Sequence, residues 1–483
     1  MLDPLPDSAW TPETAAHLLN RAGFGGPPDD IDALHRAGRA DAVRLLVHPP
    51  ALPADDRLPD WANPGAGFAL RRELRAADAE TRRQRLAEKR REDFRNLATL
   101  RAEWLERMRA APDPLREKMT LFWHGHFATS AEKVRSPLLL WRQHQTFRTH
   151  ALGNFRDLTK AITRDPAMLL YLDTVQSHPR SPNENFAREL MELFTLGEGH
   201  YTERDIRESA RAFCGYRIDP QTETFRLVPR LRDTGPKEFL GTTGPLDGDG
   251  VVDRILAQPQ CARFLARKLW VFFASENPDA PLVDALAAAL RESDYALQPF
   301  LERLFASAAF HAPAVRHAQI KSPVQWMVQT IRSLEMPLPP VLFATNALRQ
   351  MGQTLFAPPS VKGWDGGRAW ISTSTLLFRY NLSNALLRGE IAGTAPKAGP
   401  GLQRAARRQM PGPPLDHIAP AELRGDPERL VDTLGWRLFQ TAPAERERKA
   451  FLEYLAARPS PASPDTLLGL LHLMMSTPQF QLC

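Results

Sequence analysis

The sequence predicts a mostly α-helical protein, on the strength of three observations. Apolar residues recur every three to four positions over most of the 483-residue chain. Alternating, strand-like segments are confined to residues 217–250. The 43 prolines are about twice the usual share and form no long tract, so they are expected to separate short helices. We therefore predict a multi-helix globular array with long ordered loops and at most a small β-hairpin region.

The composition is that of a globular protein, with 43% hydrophobic and 24% charged residues. The net charge of +6 comes largely from arginines spread along the whole chain, and no nucleic-acid motif accompanies them. Nucleic-acid binding is therefore not expected. The three cysteines, Cys214, Cys261 and Cys483, are odd in number and far apart, which argues against a disulfide framework and for a reducing compartment.

The sequence shows no targeting or membrane segment. Residues 1–7 lack the basic start and apolar stretch of a secretory signal, and no run of 18 uncharged apolar residues occurs. A cytoplasmic protein without a membrane span is the expectation. Export in complex with a partner that carries its own signal stays open.

Residues 1–110 are predicted to form an N-terminal helical segment. Two helices flank a glycine turn at residues 23–28, and residues 70–110, which contain no glycine or proline, predict one long helix. The first half of that helix is mainly charged, so it either faces solvent or lies over a partner. Its second half carries an apolar stripe of Phe94, Leu97, Leu100, Trp104 and Met108.

Residues 111–216 are predicted to form a central helical core, whose first chemical feature is a pair of histidines, His124 and His126. On a continuous helix these two side chains lie about 200° apart, whereas a helix that ends at Gly125 would let them converge on one metal ion. His126 also falls in register with apolar residues of the same helix. A hydrogen-bonded core histidine is therefore the alternative.

The second feature of the central core is a short helix from Asn183 to Leu196, with Asn183 as its cap and Gly197 as its end. One interpretation of its polar side is a solvated ladder of ion pairs four residues apart. The other is a site, in which two nearby carboxylates have separated pKa values, as acid–base chemistry requires. That polar side comprises Glu184, Asn185, Arg188, Glu189, Glu192 and Thr195.

The next segments are predicted from turn and cap signals. Thr202 and Asp205 form a capping-box pattern, residues 217–250 predict an extended loop or hairpin, and Asp249 is interpreted as a helix cap. A C-terminal helical region is predicted over 251–394, with apolar periodicity in 261–273, 281–290, 297–309 and 323–334. A Pro-rich linker, 395–424, and a helical tail, 425–483, follow.

Trp364 and Trp370 flank the glycines of a loop within the C-terminal region. Such tryptophans either stack on a sugar or base, or fill the edge of a hydrophobic core.

Six stretches, in order, resemble one family: the bacterial domain of unknown function 1800. They are residues 17–25, 118–130, 154–173, 183–215, 233–241 and 320–381. The resemblance implies a large, mostly helical protein, often encoded beside a partner that looks like the alkaline phosphatase and sulfatase superfamily. It implies no catalytic assignment. Where relatives tend to have histidine before Asp233, this chain has Arg232, so that position is not expected to bind a metal.

The leading functional hypothesis is a hydrolase or lyase that acts on a polar, carbohydrate-like substrate. Its catalytic residues are Glu189, Glu192, His124 and His126, and its substrate-binding residues are Asn183, Asn185, Arg188, Asp233, Lys237, Trp364 and Trp370. A variant of the hypothesis gathers His124, His126 and Glu189 around a divalent metal ion. The alternative is a non-enzymatic interaction or maturation protein for a partner encoded nearby, with residues 70–110 as its docking arm.

Overall fold

Helices form most of the chain, as the sequence predicts. A computed structural model describes residues 2–52, 57–110, 112–392 and 407–483. The first five helices are α1 (Pro12–Ala22), α2 (Pro28–Ala37), α3 (Arg39–Val47), α4 (Ala66–Ala76) and α5 (Ala79–Ala110).

The prediction of one helix over residues 70–110 is wrong, because Asp78 separates α4 from α5. Its Oδ1 accepts hydrogen bonds from the backbone N–H groups of Glu80 and Thr81, both at 2.9 Å. A short polar side chain that caps the following turn competes with helix continuation. Arg85 of α5 then binds Glu73 of α4 at 2.9 Å, so α4 folds back along α5.

Helix α6 (Pro114–His126) continues through Gly125, and the rest of the central region is built from short helices around it. They are α7 (Ala131–Val134), α8 (Pro137–Thr149), α9 (Phe155–Thr163), α10 (Pro166–Tyr171), α11 (Asn185–Glu192) and α12 (Glu203–Ala212).

The predicted end signals of α11 and α12 have the expected geometry. Gly197 has a φ of +85° and donates its N–H to the carbonyl oxygen of Met191 at 3.0 Å. Thr202 and Asp205 form the reciprocal hydrogen bonds of a capping box. Helix α11 is shorter than predicted.

Strands are few and short within the described residues, and each sheet has two antiparallel strands. Two of these sheets lie in or beside the segment that the sequence predicts to be extended, so the hairpin is confirmed. The pairs are β1 (Tyr216–Ile218) with β2 (Phe225–Leu227), β3 (Lys237–Phe239) with β4 (Thr242–Gly244), and β5 (Glu390–Ala392) with β6 (Arg407–Gln409). Part of the predicted linker, residues 395–406, lies outside the described residues.

The C-terminal half is helical where the periodicity predicts it. Asp247, not Asp249, caps the first of these helices, because its Oδ1 accepts the N–H of Gly250 at 3.0 Å while Asp249 binds Arg164. The helices are α13 (Gly248–Ala257), α14 (Pro259–Phe273), α15 (Ala280–Glu292), α16 (Leu297–Ala306), α17 (Pro323–Ser333), α18 (Val341–Gln350), α19 (Thr373–Arg388), α20 (Leu415–Ile418), α21 (Ala421–Arg424), α22 (Pro427–Phe439), α23 (Glu445–Ala456), α24 (Pro464–Met475) and α25 (Pro478–Gln481).

Two clusters of buried apolar side chains form the core, and α6 contributes to both. Met119 and Trp123 of α6 belong to a cluster with α1–α3 and α9–α16, whereas Leu121 belongs to one with α17–α25 and the second half of α5. The division into domains stays a prediction. The three cysteines are buried and unpaired. None of the described helices is long and apolar enough to cross a bilayer.

Candidate functional site

A cavity of about 850 Å³ lies between α6, α14 and the loop of residues 362–370. Residues three and four apart on a helix share one face, and each of the two helices turns such a face toward the cavity. These faces are Lys118, Phe122 and Gly125 on α6, and Phe264, Lys268 and Val271 on α14. Two helical stripes and one tryptophan loop thus form much of the cavity, and the rest of the lining comes from residues 276–277, parts of 319–325, Gln353 and Cys483.

Glycines allow the loop to lie directly on α6. Gly363 has a φ of +88°, and a Cβ added there would lie 2.1 Å from the backbone oxygen of Gly125. A Cβ added at Gly125 would in turn lie 3.7 Å from the Trp364 ring. Trp364 and Trp370 thus form a wall of the cavity, and the Trp364 indole N–H has no hydrogen-bond partner within the described residues.

His126 faces this cavity as a neutral imidazole. Its Nε2 lies 2.9 Å from the carbonyl oxygen of Phe194, so Nε2 carries the proton and donates it. Its Nδ1 is then a bare acceptor, and it is buried without a partner among the described residues. Burial, reinforced by Lys268, holds the pKa of His126 well below its ordinary range. The ring therefore keeps one acceptor without a partner among the described residues.

Lys118, which is buried, and Lys268, which is half-buried, face the same cavity, and they were not predicted as a pair. Lys118 donates a short hydrogen bond to Gln325, and burial lowers the pKa of Lys118 to about 7. Lys268 donates to the carbonyl oxygen of Leu193 at 3.3 Å, and burial lowers its pKa to about 8. The sequence carried one signal of a buried lysine: Lys118 lies between Leu115 and Phe122 in an apolar helical stripe, where a charged residue is unusual.

His124 points away from the cavity and into the core. Its Nε2 lies 3.1 Å from Nδ1 of His144, and its ring packs on Trp104 with centroids 4.4 Å apart. Burial lowers the pKa of His124 to about 3.

The structure does not bring the hypothesised metal set of His124, His126 and Glu189 together. Helix α6 continues through Gly125, so the two imidazoles diverge by about 200°. No group of three or more His, Cys, Asp or Glu side chains in the described part of the chain is arranged to hold a metal ion.

A family model described as "Protein of unknown function (DUF1800)" matches residues 17–482, nearly the whole chain. The chain belongs to the DUF1800 family. No curated protein and no solved structure matches it.

On α11 of this DUF1800 chain, Arg188 forms ion pairs at the surface. Its guanidinium binds both carboxylate oxygens of Glu203 at 2.9 Å and lies 3.7 Å from Glu184. The predicted ladder of ion pairs is therefore partly present, and Glu203 of α12 is the stronger partner.

Glu189 and Glu192 of this DUF1800 chain lie together on α11, half-buried and outside the lining of the cavity. Burial, and then the charge of Glu192, raise the pKa of Glu189 above its ordinary value. Glu192 accepts a hydrogen bond from the Tyr201 hydroxyl at 2.8 Å. The role of the pair stays a prediction.

The remaining predicted binding residues make local contacts. Asn183 accepts the N–H of Asn185, which is exposed, and donates to the carbonyl oxygen of Asp173. Asp233 binds the Arg211 guanidinium at 2.8 and 3.1 Å. Buried Lys237 donates to the carbonyl oxygens of Asp233 and Gly235. Of the predicted residues, the structure brings His126, Trp364 and Trp370 together in the cavity.

Helix α11 reaches the cavity through the carbonyl groups that follow it. Phe194 orients His126, and Leu193 holds Lys268. Because the carbonyl end of a helix carries partial negative charge, it favours the imidazole N–H and the ammonium group that it contacts. The end of α11 in this DUF1800 chain is thus connected to His126 of α6 and Lys268 of α14.

Proposed function

We propose that the chain is an enzyme of hydrolase or lyase type, and that its polar, carbohydrate-like substrate binds in the cavity between α6 and α14. The observation that carries the proposal is the convergence of basic side chains and two tryptophans on one cavity of about 850 Å³. Concave sites with aromatic walls and a few buried polar groups are the usual form of small-molecule sites.

The lining supports a distinct role for each group. Trp364 and Trp370 offer ring faces on which a sugar packs. The free Nδ1 of His126 accepts a hydrogen bond from a substrate hydroxyl. Lys118 is the proposed proton-transfer group, because a pKa of about 7 leaves it divided between amine and ammonium near neutral pH.

The paired glutamates of α11 are the competing location for the chemistry. The raised pKa of Glu189 supports it, since acid–base pairs need one carboxyl that holds its proton longer than the other. Neither glutamate lines the described cavity, which favours Lys118 and His126.

A panel of oligosaccharides tests the proposal, with new reducing ends as the measure of hydrolysis and ultraviolet absorbance of unsaturated products as the measure of lyase activity. Lys118→Met and Trp364→Ala should each remove the activity, while Lys449→Met, a change at an exposed surface lysine, should retain it. Activity that survives Lys118→Met but is lost in Glu189→Gln or Glu192→Gln would move the chemistry to α11.

The second candidate is an interaction or maturation protein that binds a neighbouring gene product through α4 and the first half of α5. Exposed apolar side chains favour this candidate: Phe68, Leu86 and Phe94 are 42%, 41% and 58% exposed. Apolar groups left on a charged helical hairpin are typical of a partner-binding surface. The proposed partner resembles the alkaline phosphatase and sulfatase superfamily.

Deleting residues 66–96, which removes Phe68, Leu86 and Phe94 together, tests this candidate, because the buried residues of α5 begin at Leu100 and would be kept. The deletion should abolish co-purification with the neighbouring gene product and leave the cavity intact. Unchanged co-purification would contradict the docking role.

A further inference from the structure

The charges that line the cavity between α6 and α14 are unbalanced. Five basic residues and two acidic residues line it. One basic and one acidic residue, Lys362 and Asp365, bind each other at 2.9 Å. The remaining lining therefore has an excess of positive charge.

Lys268 is the most informative of these cations. Its ammonium contacts a backbone carbonyl oxygen and lies 5.2 Å from the centre of the Phe264 ring, and burial is the cause of its lowered pKa. Lys268 is half-buried and forms no ion pair with a carboxylate among the described residues, so an anion that joins it would replace hydration that the ammonium group has lost. The preceding residue, Arg267, is exposed and lines the same cavity, as does Arg368 from the tryptophan loop.

We propose that the ligand of this cavity carries an anionic group, a carboxylate or a phosphate, which Lys268, Arg267 and Arg368 bind. The inference rests on the proposed function and narrows its substrate class to acidic hydroxylated compounds. Arginine and lysine are the side chains that proteins use to bind such oxyanions. The tryptophan rings on one wall of the cavity lower the local dielectric constant, which strengthens each charge interaction.

The lining offers different contacts to the two parts of such a ligand. The basic residues of α14 and the loop lie with the anionic group, while Trp364, Trp370 and the Nδ1 acceptor of His126 serve the uncharged, hydroxyl-bearing part. Because the His126 N–H already binds the Phe194 carbonyl, His126 adds no positive charge of its own.

Calorimetric binding of four probes to the full chain tests this: D-glucuronate, glucose 6-phosphate, D-glucose and inorganic phosphate. One or both anionic sugars should bind more tightly than D-glucose and than phosphate, and their relative affinities show which anion the site prefers. Lys268→Met should weaken anionic-sugar binding by about tenfold to a hundredfold, the loss expected for one charge-assisted hydrogen bond. Lys268→Arg should restore most of it, and Lys449→Met should bind as the unaltered chain does.

Three results would overturn the inference. Equal binding of D-glucose and the anionic sugars, unchanged in Lys268→Met, refutes the anionic group and leaves the cavity as a site for neutral sugars. Absence of binding by every anionic probe also refutes it. Binding of all probes that is unaffected by Trp364→Ala places the ligand elsewhere, and the proposed function then falls with the inference.

Discussion

Replacing Lys118 by methionine is expected to stabilise the chain below neutral pH and to destabilise it in alkali. Burial lowers the pKa of Lys118 from 10.5 to about 7. Between these values the unfolded chain binds a proton at this lysine and the folded chain does not, so the free energy of unfolding rises with pH. Since a tenfold change in proton affinity is about 1.4 kcal/mol, ionised Lys118 destabilises the folded state by about 5 kcal/mol below pH 7.

The Lys118→Met variant removes that penalty but leaves the Gln325 oxygen without its donor. A buried acceptor without a partner costs about 1–3 kcal/mol. The variant should therefore be more stable than the unaltered chain by about 2–4 kcal/mol near pH 6, and less stable by up to about 2 kcal/mol near pH 10. The difference shrinks above pH 7, where the folded chain has released a proton that the unfolded chain keeps until about pH 10.5, and it changes sign within that interval.

Urea unfolding at a series of pH values measures this difference directly. Lys449→Met is the matched control, because the Lys449 side chain is 77% exposed and its replacement should give a small difference that hardly changes with pH. A difference between Lys118→Met and the unaltered chain that stays constant from about pH 6 to about pH 10 would refute the argument from burial.

Three further changes test the surrounding structure. Gly363→Ala should lower the thermal unfolding temperature by more than Gly366→Ala does. Both glycines have positive φ, but only a Cβ at position 363 would meet the Gly125 carbonyl oxygen. Equal losses would contradict the close approach of the loop to α6. Thr202→Ala should cost about 1 kcal/mol in urea unfolding through loss of the capping box, and no loss would contradict that role. Burial raises the pKa of Asp165 to about 7, so this carboxyl should lower the free energy of unfolding of the unaltered chain as the pH rises from about 4 to about 7. The Asp165→Asn variant should lack this contribution in urea unfolding at a series of pH values.

Local signals in the sequence account for much of the secondary structure. Gly197 and the Thr202–Asp205 pair mark helix ends because they act through atoms a few residues away. The break at Asp78 was missed for the opposite reason, since the residues around it favour helix and one side-chain cap outweighs them.

The candidate site was less accessible to sequence reasoning. His126, Trp364 and Trp370 were singled out for their residue types, and the structure places all three on one cavity. Whether Gly125 ends its helix was undecidable locally, because glycine tolerates both outcomes. In the structure α6 continues through Gly125, and the 362–370 loop packs on it there. The continuous helix separates His124 from His126.

The sequence by itself determined the helical class, the family and several helix ends, because periodicity and caps act over a few residues. Tertiary structure alone decided the site. Lys118 and Lys268 are 150 positions apart, and no local signal in the sequence indicates that α6 and α14 bring them to the same cavity. Burial then changes the chemistry of both, since desolvation disfavours their charged forms and makes an anionic or proton-accepting ligand favourable.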